Sequence, residues 1–337
     1  MADALTQIVE KLEENSNILV TVNTNPTVDE LSAALGITLL LNKLDKHATA
    51  VFSGHVPPAL EFLQPEKTFE GTVDSLRDFI IALDKEKADH LRYKVVDDMV
   101  KIFITPYRTT INEKDLDFSQ GDYNVEAVLA IGVRSTADLD HALESHGRIL
   151  HDAAVTSISL DEPSHLGGIE WNNPRASGYS ELLYALADVL VGENKKMIDE
   201  QIATAFLTGI VAATERFSNS KTSSAVMRIA ASLMGAGANQ QLIATKLEEG
   251  EKKAQVDETA PRSKDAQEGE SVRVSEMTNG SKTKAPQEAA QESGVGTLAI
   301  SHEPEGDVDE VKRAIDEKNS QAALSAAEAV LAKHAQQ

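Results

Sequence analysis

Residues 18–36, ILVTVNTNPTVDELSAALG, join an apolar run to a helical pattern through a short polar loop. The β-branched residues of 18–22 predict a strand, and 31–44 predicts a buried helix because apolar side chains recur on nearly every side. The next apolar run, residues 48–52, predicts a second strand. A strand, a helix and a strand in this order predict a right-handed βαβ unit, the building block of a parallel sheet.

The chain around this unit continues the same alternation. Buried strands are predicted at 77–83, 127–131 and 155–160, helices at 3–14 and 136–145, an additional hairpin at 93–104 and a polar loop at 106–124. Four more helices are predicted at 176–191, 196–213, 222–235 and 239–249. We therefore predict an α/β fold over residues 1–249, with a doubly wound, mostly parallel sheet followed by a helical half.

The composition changes after residue 249. Residues 250–295 contain no Leu, no Ile and no aromatic residue, so burial cannot offset the entropy of ordering them, and we predict a disordered acidic linker. Residues 297–302 predict one strand, and the Ala-rich residues 307–335 predict one or two short helices. On this interpretation residues 296–337 either dock loosely on the domain or stay free.

The bulk composition excludes several classes of function. The 337 residues carry a formal net charge of −22, which argues against binding to duplex nucleic acid or an anionic membrane, although a pocket for a small anion remains possible. The absence of cysteine excludes disulfides, thiolate zinc sites and a cysteine nucleophile. No signal peptide and no apolar run of membrane-spanning length is present, so we expect a cytoplasmic protein.

The polar loop between the first strand and its helix is the first candidate site. In doubly wound sheets, ligands bind at the carboxyl ends of the strands, and the amides at a helix start favour anions. Asn23, Asn25 and Asp29 would all face that crevice. The same residue types are also ordinary capping residues, so this alternative stays open. Arg134 and Arg175 either hold an anion near the crevice or lie on the surface.

Several stretches of the chain resemble the DHH phosphoesterase superfamily, in its nano-RNase and cyclic-dinucleotide phosphodiesterase branch. NTNPTVDEL at 23–31 resembles the first motif, AVLAIG at 127–132 the second and LTGIVAAT at 207–214 the fourth, while SISLDEPSH at 157–165 occupies the place of the Asp-His-His motif. ASGYSELL at 176–183 is similar to the helix start that follows that motif. The resemblance covers about residues 15–250 and implies the doubly wound fold.

The resemblance also implies two manganese ions, held by Asp and His, with a bridging hydroxide that attacks phosphorus. The ligand positions of the first, second and fourth motifs hold Asn23, Thr27, Gly132 and Ala213 instead, and no Asp-His-His triplet occurs at 158–163. Asp29 is the sole retained ligand, and one carboxylate cannot hold two ions. The Gly-Gly-His motif of the family's substrate-binding domain is also missing. The chain therefore resembles a degenerate member of the family.

Three hypotheses follow, and we favour the first. The chain is a catalytically degenerate binding or scaffold module that needs no cofactor and binds a nucleotide or short oligonucleotide through Asn23, Asn25, Asp29 and Ser177. Alternatively, Asp29, Asp161 and His165 form a rebuilt Mn²⁺ site that hydrolyses short oligonucleotides or cyclic dinucleotides. In the third hypothesis the acidic tail contacts a protein partner. A homodimer is compatible with each of them.

Overall fold

A computed structural model describes residues 2–96, 99–144, 146–259 and 295–299. These residues fall into two compact units. Unit 1 comprises the described residues within 1–79 and 120–272, and unit 2 comprises those within 80–119 and 273–337. The predicted hairpin at 93–104 lies in unit 2, whereas all predicted site residues lie in unit 1.

Helices and strands alternate at the start of the chain, followed by a run of strands between residues 47 and 131 and a helical half. They are α1 (Ala2–Glu14), β1 (Asn17–Val22), α2 (Val28–Lys43), β2 (His47–Val51), β3 (Phe69–Glu70), β4 (Arg77–Leu83), β5 (Ala88–Val96), β6 (Met99–Pro106), β7 (Leu116–Tyr123), β8 (Ala127–Ile131), α3 (His141–Glu144), α4 (Arg148–Asp152), β9 (Ala154–Ser159), β10 (Ile169–Asn172), α5 (Tyr179–Val191), α6 (Glu200–Ala213), α7 (Ser224–Gly235), α8 (Gln240–Thr259) and β11 (Val295–Ala299). A 3₁₀ helix spans Pro58–Leu63.

Unit 1 is built on a six-stranded parallel sheet in the order β10-β9-β8-β1-β2-β3. The chain builds outward from β1 through β2 to β3, and then returns to the other side of β1 to add β8, β9 and β10. The strand order therefore reverses between β1 and β8, where a doubly wound sheet opens a crevice at the carboxyl ends of its strands. The doubly wound α/β fold predicted from the sequence is confirmed.

Both faces of this sheet are covered. Along β1, Ile18 and Val20 join a large cluster with the helical half, whereas Leu19 joins a smaller cluster with residues near α3 and α4. This alternation is why the central strands read as continuous apolar runs. Helix α2 lies in the large cluster against α6, and a Cβ added at Gly36 would meet the Phe206 ring at 2.9 Å.

Unit 2 contains the antiparallel pair β5–β6, with β11 on the other edge of β5. The predicted hairpin is therefore longer than 93–104, and its turn at 97–98 lies outside the described residues. Tyr93 and Ile102 are opposite each other, as are Val95 and Val100, so one face of the pair is apolar. Val100 is 65% exposed on that face.

Three predictions of local structure are wrong. Strand β4 is exposed along most of its length, with Phe79 61% exposed, because among the described strands it pairs with β7 alone, in a two-stranded sheet. Residues 106–124 contain β7 rather than only a loop. The predicted helix at 136–145 is a 3₁₀ turn followed by the single turn of α3.

Helix α8 continues to Thr259, so the first ten residues of the predicted linker are helical, which corrects the boundary at 249. Glu, Lys, Ala and Gln favour helix without needing burial, which the argument from apolar content overlooked. The predicted strand at 297–302 is observed as β11, and 260–294 and 300–337 lie outside the described residues. Within the described part of the chain, no helix is both long enough and apolar enough to cross a membrane.

Candidate functional site

The loop after β1 is shaped by a capping box at the start of α2. The Thr27 hydroxyl accepts a hydrogen bond from the Glu30 amide at 3.2 Å, and the Glu30 carboxylate accepts one from the Thr27 amide at 2.6 Å. The Asn23 side chain closes the loop by accepting from the Asn25 amide at 2.9 Å. The loop conformation thus follows from local polar residues and needs no metal ion to hold it.

Asp29 caps a helix other than its own. Its carboxylate accepts hydrogen bonds from the amides of Tyr179 at 2.6 Å and Ser180 at 3.0 Å, at the beginning of α5. The side chain is only 6% exposed, and burial raises the pKa of Asp29 while the hydrogen bonds from Ser180 and Tyr179 oppose that rise. The positive end of the α5 dipole also favours a carboxylate here. Asp29 therefore joins α2 to α5.

Two glycines surround the Asp29 carboxylate. A Cβ added at Gly178 would collide with Asp29 Oδ2 and lie 2.8 Å from the Ala213 Cβ. A Cβ added at Gly209 would collide with the Ser180 hydroxyl and lie 2.6 Å from Asp29 Oδ1. The two glycines thus let the backbone of α5 and α6 approach the carboxylate closely, which holds it at the start of α5.

Glu30 fills the position next to the end of β8. Its carboxylate accepts a hydrogen bond from Asn23 Nδ2 at 2.8 Å, and a Cβ added at Gly132 would collide with Glu30 Oε1. Gly132 has a φ of +69°, a conformation that favours glycine. Burial raises the pKa of Glu30 to about 7. The sequence analysis did not assign Glu30 a role, although Thr27 followed three residues later by Glu is the signature of a capping box.

The four predicted ligand-binding residues do not share one pocket. Asn23 and Asn25 line an open crevice of about 540 Å³ at the reversal of strand order, whereas Asp29 and Ser177 line a cavity of about 430 Å³ beside it. A wall of Thr27, Glu30 and Tyr179 borders both spaces. These spaces are called the crevice and the cavity below.

The crevice presents mainly hydrogen-bonding groups. Arg134, which follows β8, and His141 of α3 lie along its side, and both are exposed. Within the described residues the Arg134 side chain forms no ion pair, whereas His141 Nδ1 lies 2.8 Å from Glu144 Oε1. Arg175 is exposed and does not line either space, so of the two arginines only Arg134 lies where the sequence analysis allowed an anion contact.

Tyr179 stands between the two spaces, and the sequence analysis missed it. Burial and the nearby carboxylates of Glu30, Asp29 and Asp161 raise the pKa of its phenol. The Ser177 amide donates to the Glu181 carboxylate at 2.5 Å, so Glu181 caps the start of α5. The Ser177 hydroxyl is buried and has no hydrogen-bond partner within the described ranges.

The residues of the site do not fit a two-manganese centre. Within the described ranges, no three His, Cys, Asp or Glu side chains lie close enough together to hold a metal ion. Asp161 and His165 are exposed, whereas Asp29 is buried against α5. His141, His146 and His151, which recur every five residues, have separate partners, since they contact Glu144, Tyr123 and Asp152 respectively.

Comparison with known proteins supports the fold. No protein-family model matches the sequence, and no curated protein matches it significantly. An exopolyphosphatase-related protein from Bacteroides fragilis has a similar structure, with a TM-score of 0.54 and 15% identity over 74% of this chain and 61% of that one. A putative family II inorganic pyrophosphatase from Methanococcus jannaschii gives a TM-score of 0.38 and 11% identity, over 69% of this chain and 61% of that one. The chain thus spans about three fifths of the length of either protein.

Proposed function

We propose that this chain is a binding module on a phosphoesterase-like fold, in which helix-capping carboxylates replace the catalytic metal centre. Its crevice at the carboxyl ends of β1 and β8 binds a nucleotide or short oligonucleotide. The proposal assigns the chain to a degenerate branch of the DHH phosphoesterases and to the cytoplasm. The fold likeness to an exopolyphosphatase-related protein supports the architecture, and the hydrogen bonds of Asp29 and Glu30 support the absence of a metal centre in the proposal.

The observation that carries the proposal is the engagement of Asp29 and Glu30. Metal binding by Asp29 would release the amides of Tyr179 and Ser180 at a buried helix start, and each unpaired buried donor costs about 1–3 kcal/mol. Glu30 is held in the same way by the Thr27 amide and the Asn23 side chain. Both carboxylates therefore serve the folded structure rather than a metal ion.

The crevice offers groups that suit a nucleotide. An exposed guanidinium binds phosphate oxygens in a bidentate manner, and Arg134 is available for that because no carboxylate of the described chain pairs with it. The Asn25 side chain is exposed on the opposite side, and the Tyr179 ring provides an aromatic surface for a base. Glu144 and Asp138 also line the crevice and would repel additional phosphates, which favours a ligand with few of them.

The rival function is a metal-dependent phosphoesterase that uses Asp29, Asp161 and His165. No contact of the described residues favours it. The rival function requires the Asp29 carboxylate to leave the start of α5 and bind Mn²⁺. It therefore predicts that Mn²⁺ changes the free energy of unfolding, whereas the binding-module proposal predicts no such change.

The test measures binding and turnover together on a 5′-labelled di- to pentanucleotide RNA with excess Mn²⁺. We expect saturable binding without cleavage, weakened about tenfold by Arg134→Gln because a charge-assisted hydrogen bond is lost. Arg175→Gln is the matched control, since Arg175 is equally exposed but lines neither space. Cleavage that disappears in Asp29→Asn would support the rival function. Equal binding by both arginine variants would remove the crevice as the ligand site.

A further inference from the structure

The cavity beyond the wall differs in character from the crevice. It lies where the start of α2, the start of α5, the end of α6 and the middle of α8 meet, and its sides are largely apolar. Val28, Leu160, Val211 and Leu247 lie around it. A volume of about 430 Å³ is within the range of small-molecule sites.

Hydrogen-bond donors in this cavity lack acceptors. The Ser177 hydroxyl is buried, at 2% exposure, and has no hydrogen-bond partner among the described residues. Arg216 Nε is also buried without a hydrogen bond in that part of the chain, and its ion pair with Glu248 is long, at 3.9 Å. The Lys221 ammonium is exposed and forms no ion pair with any described residue, although it lies near enough to Asp29 to lower the pKa of that carboxyl. Unpaired buried donors are uncommon in folded proteins and require an explanation.

The buried acceptors that line the cavity are already engaged. Asp29 accepts from two amides of α5, and Glu30 accepts from Thr27 and Asn23, whereas the Glu215 carboxylate lies at the exposed rim. Glu251 of α8 accepts from Arg216 Nη2 at 2.9 Å at the exposed rim. A ligand that pairs with the donors of the cavity must therefore carry acceptor oxygens, and the apolar walls favour a ligand with a hydrocarbon body.

The backbone that presents Arg216 and Lys221 is held in an unusual conformation. Glu215, Arg216 and Phe217 have φ values of 49°, 59° and 64°, three consecutive left-handed residues without a glycine. The Cβ of a residue other than glycine is crowded in this conformation, so the turn persists because other contacts stabilise it. Thr214 supplies one of them, since its hydroxyl accepts from the Phe217 amide at 3.2 Å. Strain of this kind concentrates at binding sites and catalytic sites.

We infer that the cavity is a binding site for a small apolar carboxylate. Its carboxylate accepts hydrogen bonds from Ser177 Oγ, Arg216 Nε and the Lys221 ammonium, and its hydrocarbon body packs against Val28, Leu160, Val211 and Leu247. This site is separate from the crevice, so it goes beyond the proposed nucleotide-binding function and does not depend on it.

The experiment titrates the full chain with hexanoate, octanoate and 4-phenylbutyrate, and in parallel with their uncharged amides, by isothermal calorimetry. We expect at least one acid to bind and its amide to bind about tenfold more weakly, because a charge-assisted hydrogen bond is lost. Lys221→Gln and Ser177→Ala should each weaken the binding of the acid. Lys67→Gln should leave that binding unchanged, since Lys67 is exposed and does not line the cavity.

A filled-cavity variant, Ala212→Phe, should abolish carboxylate binding yet retain binding of the labelled oligonucleotide, provided that circular dichroism shows it folded. Equal affinity for acid and amide, no binding of any acid, or unchanged affinity in both Lys221→Gln and Ser177→Ala would overturn the inference. Loss of oligonucleotide binding in Lys221→Gln would instead assign the cavity to the nucleotide. If the crevice variant Arg134→Gln bound the oligonucleotide as tightly as the wild type, the proposed function would be contradicted, but the inference about the cavity would not.

Discussion

The Glu30 carboxylate occupies the space that a side chain at position 132 would fill. Gly132 ends β8 with a positive φ, and a Cβ on it would collide with Glu30 Oε1. The carboxylate beside the end of β8 therefore comes from the first turn of α2, where Glu30 caps its own helix.

This relationship makes Gly132→Ala strongly destabilising. We expect a loss of about 3 kcal/mol or more in the free energy of unfolding, from the left-handed backbone together with the collision with Glu30. Gly192→Ala is the control for an alanine at positive φ without a collision, because nothing lies near the added Cβ of Gly192. In a Glu30→Ala background, urea unfolding should show a smaller cost of Gly132→Ala, whereas the cost of Gly192→Ala should not change. An unchanged cost of Gly132→Ala in that background would contradict the collision.

Removing the Asp29 carboxylate should reveal its role as a cap. Asp29→Ala leaves two buried amides of α5 unpaired, so we expect a loss of about 2–4 kcal/mol in unfolding free energy. Asp199→Ala removes the half-exposed N-cap of α6 and should cost only about 1 kcal/mol. Chemical denaturation measures both. Equal losses would mean that Asp29 does not hold α5, and a gain of stability for the wild type on adding Mn²⁺ would point to a metal ligand.

The Glu30 carboxyl should make stability fall with rising pH. Its pKa is raised from 4.5 to about 7, so the folded chain binds this proton more tightly than the unfolded chain does. The contribution of this protonated carboxyl to the free energy of unfolding is therefore fully present below about pH 4.5. It is lost as the pH rises through about 7, which lowers the free energy of unfolding by about 3 kcal/mol.

The check compares urea unfolding of the wild type and Glu30→Gln across that range. The stability of the wild type relative to the variant should decrease from acidic to neutral pH. Glu126 is the control of opposite sign, since the amides of Asn17 and Ser16 lower its pKa, and its contribution is lost as pH falls. A constant difference between the wild type and Glu30→Gln would contradict the buried, proton-binding carboxyl.

Gly250 lets α8 lie close to the 3₁₀ helix at Pro58–Leu63. An added Cβ would come within 2.5 Å of the Ala59 backbone, so Gly250→Ala should lose about 1–3 kcal/mol although alanine favours helix. Gly235→Ala, with nothing near its added Cβ, should leave stability unchanged or raise it. Because α8 borders the cavity, Gly250→Ala should also weaken the binding of the carboxylate ligand. Thermal unfolding and calorimetry measure the two effects, and a stabilised Gly250→Ala would contradict the close packing.

The fold could be predicted because its signals are local. The sequence pattern of residues 18–52 predicts the βαβ unit, and two later apolar runs predict β8 and β9. All of these elements are observed in unit 1. Strand β7 was missed because its sequence, LDFSQGDY, has few apolar residues and pairs only with the exposed β4. The formation of β7 depends on pairing with β4, and the periodicity of a sequence does not reveal which strands pair.

The candidate site was less accessible to sequence reasoning because it depends on contacts between distant residues. Asp29 lies 150 positions from Tyr179, and nothing in the loop indicates that its carboxylate faces another helix. The division between crevice and cavity arises from Tyr179 and Glu30, which no motif marked as functional. Only the capping box of Thr27 and Glu30 could have been predicted from spacing alone.

The packing around Gly132 and Ala213 also constrains which substitutions the chain can accept. A Cβ at 132 would collide with Glu30 Oε1, and a Cβ at 178 would lie 2.8 Å from the Ala213 Cβ. A larger side chain at either place would lower stability unless the neighbouring side chain had changed first. The order in which substitutions can accumulate around these two positions is thus set by packing.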